Sequence, residues 1–127
     1  MFDRECESFM ETDSYRLIER KCSQKCLNHD ERQLLNLEIH YVFPRLIKTL
    51  KEACPSLTKE DVIFCCLEKS GLDNSVICRC MGSISKKTIK QRKYRIKKKM
   101  QEVQFDFLFD LIFTTHISSD NLFVFAK

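Results

Sequence analysis

The residues best suited to chemistry lie in one run, 85–100, which reads SKKTIKQRKYRIKKKM and carries nine Lys/Arg and no acid. Lysine and arginine neutralise phosphates and release condensed counterions, the main source of sequence-independent affinity for nucleic acid. Glutamine and arginine add donors and acceptors that match the major-groove edges of adenine and guanine respectively. Wound as a helix at about 100° per residue, the run gathers Ile89, Ile96 and Met100 in one sector, predicted to face the protein. Lys87, Lys90, Gln91, Tyr94, Arg95 and Lys98 point largely the other way, with Gln91 and Arg95 one turn apart. Arg92, Lys93 and Lys97 fall on the flanks, where their long stems are expected to extend along the edges. The helix start near Ser85, Lys86 and Thr88 offers backbone N–H groups to a phosphate.

A plain solvated face is the alternative for such a run. Solvated helices usually interleave both signs, because opposite charges three or four residues apart stabilise them. Nine positives in a row of sixteen residues repel one another when unliganded, and a polyanionic partner removes that cost. The rest of the chain does not share the excess. Residues 1–55 hold nine Lys/Arg and ten Asp/Glu, residues 56–100 hold twelve and four, and residues 101–127 hold one and four. Basic charge confined to one segment is the electrostatic footprint of a nucleic-acid site.

The elements that must position this run are helical by pattern. Two Gly and two Pro in 127 residues are too few for the turns of an all-β domain. A helix is expected somewhere between Asp13 and Cys26. Asn28 or Asp30, the latter with Gln33 three residues on, offers the start of a longer amphipathic helix. Residues 35, 39, 42, 43, 46, 47 and 50 form its apolar face, and Pro44 should kink or break it. Thr58 with Asp61 has capping-box spacing ahead of Val62, Ile63, Cys65, Cys66 and Leu67. Gly71 suits the left-handed position after that helix. Asp73 or Asn74 caps a second short helix with Val76, Ile77, Cys80 and Met81 inward, and Gly82, Ser83 and Ile84 make a turn. Ser85 caps the basic helix, which should run to about Met100. Two short helices, a turn and a longer basic helix form a helix-turn-helix pattern. The fold class is therefore all-α: an N-terminal helical segment (1–55), a helix-turn-helix unit (56–100), and a hydrophobic C-terminal segment (101–127). In that last segment helical spacing (Phe105, Leu108, Phe109, Ile112) competes with strand-like alternation, and helix is preferred.

Segment 57–100 resembles the LuxR-type (GerE-like) helix-turn-helix of bacterial transcriptional regulators. The ordered matches are Leu57 and Thr58, Asp61, Gly71 and Leu72, Asn74 with Ile77, Met81, Ser85 with Thr88, Ile89 and Lys90, then Lys99 and Met100. The run Phe43, Pro44, Leu50, Pro55, Leu57 looks like the linker helix that precedes such domains. The resemblance implies that Lys90 and its neighbours contact DNA and that Ile89 lies in the core. Arg92 stands where the family often has histidine.

Other constellations are weaker. Cys22, Cys26 and His29, or Cys78 and Cys80, lack the spacing of a structural zinc site, and packing is the preferred role for most of the eight cysteines. His29, His40 and His116 have no nucleophile or carboxylate arrangement, so neither an enzyme nor a cofactor is expected. The start of the chain lacks an apolar signal core, and no long apolar run exists; a cytoplasmic protein without membrane contact is expected. Phe105, Phe107, Leu108, Phe109, Ile112 and Phe113 are expected either to pack on the chain's own helices, residues 34–50 for instance, or to form a homodimer interface through 101–113. The functional expectation is a sequence-specific regulator that binds double-stranded DNA through Lys86, Lys87, Thr88, Lys90, Gln91, Tyr94, Arg95 and Lys98. The alternative is a protein-interaction module that keeps the fold without specific DNA reading.

Overall fold

The computed structural model describes residues 2–82, 85–104 and 106–113, with backbone alone at 86 and 106–109. These residues form eight α-helices: α1 (Asp3–Met10), α2 (Asp13–Lys21), α3 (His29–Val42), α4 (Pro44–Ala53), α5 (Lys59–Lys69), α6 (Asn74–Cys80), α7 (Lys86–Glu102) and α8 (Asp106–Phe113). No strand occurs among them, and none of these helices is long and apolar enough to cross a membrane.

Side-chain caps explain several helix starts. The Thr12 hydroxyl accepts from the Tyr15 N–H ahead of α2, and the Asp73 carboxylate accepts from the Ser75 N–H ahead of α6. Asn28, not Asp30, caps α3, in a reciprocal box with Glu31. Thr58 and Asp61 close the expected box at α5. Gly71 follows α5 with φ +90°, a backbone conformation that costs an L side chain strain and glycine little. Ser85 occupies the cap position of α7 with extended backbone, but its side chain makes no capping hydrogen bond.

The long amphipathic helix expected over 34–50 is two helices. Phe43 ends α3 and opens α4, and Pro44 becomes the first residue of α4, where its missing N–H is no loss. All seven positions of the expected apolar face are buried on both sides of the break. The start of α4 carries no side-chain cap of its own. Glu5 supplies one from α1: its carboxylate accepts from the N–H groups of Arg45 (2.9 Å) and Leu46 (3.0 Å). This explains the use of α1, a helix the sequence reading did not anticipate. Its Phe9 is fully buried, with ring centroids 5.4 Å from Tyr15 and 5.6 Å from Phe43.

Helix α5 is the inner element, packed against α3, α4, α6 and α8. Asp61 through Glu68 are eight consecutive buried residues, as expected of a helix enclosed on all sides. Helix α7 ends at Glu102, and Gln104 takes φ +61°, so the chain turns before α8 instead of continuing. Helix α8 packs chiefly on α5 and α7, not on 34–50; Ile112 and Phe113 are buried there, with Phe113 6.0 Å from the Phe64 ring. The side chains of Phe107, Leu108 and Phe109, and the whole of Phe105 and of the tail with Leu122, Phe123, Val124 and Phe125, lie outside the described residues.

Replacing Glu5 by Ala removes the borrowed cap of α4 and should cost about 1 kcal/mol. Urea unfolding checks this: the midpoint falls with an unchanged m-value, and Glu5→Gln recovers part of the loss.

Candidate functional site

The position of α7 is set from its inner face. Ile89, Ile96 and Met100 are buried, as the helical sector requires. Beside them the cations of α7 meet the acids of α5. Arg92 donates to Asp61 Oδ1 (2.9 Å) and to Glu60 Oε2 (3.1 Å). Lys99 donates to Asp61 Oδ2 (3.0 Å) and to the Ser56 carbonyl (3.1 Å). Lys93 Nζ stands 3.3 Å from the fully buried Glu68, 3.4 Å from Asn74 Oδ1, and 5.7 Å from the Phe113 ring centroid.

Asp61 is the node of this array. Its residue is 4 % exposed, and the same carboxylate that accepts the Thr58 N–H (3.0 Å) also accepts Arg92 and Lys99. Burial pushes its carboxyl up, but the Thr58 backbone bond and the Lys99 ammonium outweigh it and hold the group below its ordinary value. The anion is therefore the stable form in the fold.

These contacts correct the expectation for the flanks. Arg92 and Lys93 do not extend along the edges; they turn inward to the α5 acids. The basic run is also not self-repelling along its whole length, because Arg92, Lys93 and Lys99 are neutralised from the neighbouring helix. The run itself contains no acid, so this pairing was invisible in it.

The outer face is different. Lys87, Lys90, Gln91, Tyr94, Arg95 and Lys98 are all exposed, and the first five line one shallow concavity. Among the described residues none of Lys87, Lys90, Arg95 and Lys98 makes an ion pair; Lys98 lies over the Tyr94 ring at 5.4 Å. Thr88 is half-buried at the edge of this face, and the Lys86 side chain lies outside the described residues. The structure thus brings together the six residues that helical spacing grouped. It adds Asp61, Glu60 and Glu68 as the groups that decide which cations stay outside.

The cysteines pack. All eight are unbridged and six are buried. Burial pushes the Cys65 and Cys66 thiols well up, so both stay protonated. Cys78 donates to the Ser85 carbonyl (3.4 Å), while Cys80 shares a hydrogen bond with Cys22 that, with burial, pushes the Cys80 thiol up. Among the described residues no three His, Cys, Asp or Glu side chains converge as metal ligands would.

Comparison with protein-family models, curated proteins and solved structures finds no match for this chain.

Removing one partner of a buried ion pair typically costs about 3–5 kcal/mol, and Asp61→Asn should approach the lower end because Lys99 is partly exposed. The lowered Asp61 value makes its contribution complete above the unfolded value of 3.8, with loss as pH falls through the folded value. The gap between wild type and Asp61→Asn in urea unfolding should therefore be widest near neutrality and narrow below that unfolded value. A gap that stays constant with pH would remove the electrostatic role of Asp61.

Proposed function

We propose that this chain is a DNA-binding transcriptional regulator of helix-turn-helix type, with α5, α6 and α7 as the DNA-binding unit and the outer face of α7 in the major groove. The observation that carries the reading is the sorting of charge on α7. Arg92, Lys93 and Lys99, which face the protein, are matched by acids of α5, and Lys87, Lys90, Arg95 and Lys98 on the outer face have no ion pair among the described residues. An acid-matched inner row holds the helix; an unmatched outer row suits phosphates. Gln91 and Arg95, one turn apart on the exposed face, have the donors and acceptors for base edges. Lys87, Lys90 and Lys98 take the phosphate contacts, with Thr88, Lys86 and the N–H groups at the start of α7 beside them. The order of two capped short helices and a basic helix over 57–100 supports the LuxR-type reading, as does the burial of Ile89.

A second reading, a protein-interaction module on the same scaffold, is favoured by one feature. Leu34, Leu37 and Tyr41 form an exposed apolar row on α3, 43 %, 70 % and 86 % accessible.

Fluorescence anisotropy with random duplex DNA across a salt series separates the two. Each phosphate contact contributes about 0.9 to the slope of log K against log salt. A Lys87→Ala, Lys90→Ala, Lys98→Ala triple variant should therefore flatten the slope by about 3. Absence of binding even at low salt would overturn the DNA reading. On a selected operator, Gln91→Ala and Arg95→Ala should each cost about 1–3 kcal/mol of discrimination while bulk affinity persists.

A further inference from the structure

A cavity of about 300 Å³ opens between the N-terminal helices and the α5–α6 pair. Its floor is apolar, built from Leu35 of α3, Ile63 of α5 and Met81 after α6. Its rim carries two cations, Arg32 and Lys59, with His29 beside them. The one acid on the rim, Glu60, is engaged by Arg92 at 3.1 Å.

Arg32 makes this cavity more than a packing gap. Its guanidinium is half-buried, NH1 donates to the Leu27 carbonyl at 2.7 Å, and no carboxylate pairs with it among the described residues. A guanidinium carries five N–H donors in a fork that matches a carboxylate, and a partly desolvated one gains most from such a partner. We infer that this cavity is a binding site for a small organic carboxylate, its apolar body on Leu35, Ile63 and Met81 and its carboxylate on Arg32 and Lys59. A cavity of about 150 Å³ takes a benzene-sized molecule. The volume here therefore suits a compact aromatic or short aliphatic acid.

The site also touches Gly82, after α6. A Cβ at Gly82, which has φ +79°, would come within 2.8 Å of Arg32 NH1. The guanidinium thus lies against Gly82, and a carboxylate that draws it towards the cavity changes what Gly82 packs on.

The test is an NMR titration of the ¹⁵N-labelled full chain with phenylacetate, benzoate and hexanoate, with phenylacetamide as the neutral control. Saturable shifts centred on Leu35, Ile63, Met81 and Gly82 are expected for at least one acid, with far weaker binding of the amide. Arg32→Gln should weaken that acid by about tenfold, the loss of one charge-assisted hydrogen bond. Lys59→Glu, at an exposed position that leaves the fold intact, should weaken it as well and serves if Arg32→Gln does not fold. No saturable binding of any of the three acids, equal binding of the amide, or affinity unchanged in the folded variants would overturn the site. The titration contains no DNA, so its outcome is separate from that of the salt series.

Discussion

One carboxylate, that of Asp61, joins the stability of α5 to the placement of α7. It closes the capping box with Thr58 and at the same time accepts Arg92 and Lys99 from the basic helix. These are competing demands on a buried group. Desolvation disfavours the anion, and the Thr58 bond together with Lys99 outweighs it and holds the group ionised. The arrangement is over-determined in a useful way. The same charge that caps the start of α5 also fixes the roll of α7, because two cations two turns apart converge on it.

Fixing that roll decides the surface. An exposed ion pair contributes about 0–1 kcal/mol, so nine cations with only solvent around them would have no strong preference for one orientation. The apolar contacts of Ile89, Ile96 and Met100 choose a face, and the acids of α5 reinforce it by removing Arg92, Lys93 and Lys99 from the exterior. Outside lie Lys87, Lys90, Gln91, Tyr94, Arg95 and Lys98 as a compact group, with Lys97 also exposed. Helix α8 completes the setting: Phe113 lies under Lys93 and against Phe64, so the buried end of the array is closed by an aromatic wall.

Much of this was legible from spacing. The capping box at Thr58, the left-handed Gly71, the inward sector of the basic helix and the seven-residue apolar face across Pro44 all depend on local periodicity, which a sequence displays directly. What escaped depends on contacts between distant residues. Helix α1 is short and polar, and its roles, Glu5 capping α4 and Phe9 meeting Phe43, exist only after folding. The burial of Asp61 and Glu68 was hidden because acids usually mark a solvated face. Their partners lie 38 and 25 positions away in Lys99 and Lys93. The balance of twelve basic against four acidic residues in 56–100 counted charges without showing that three of the four acids were already committed to α7.

The measurement that bears most directly on this account follows the side-chain Nε–Hε signals of Arg92 and Arg95 by NMR as duplex DNA is added. The two residues are three positions apart on one helix and differ chiefly in what they face. If inward cations are held by α5 and outward ones are available to phosphates and bases, the Arg95 signal shifts with DNA, reverses with salt, and the Arg92 signal stays in place. Movement of Arg92 with DNA, or no change at Arg95 at low salt, would contradict the division of charge on which the functional reading stands.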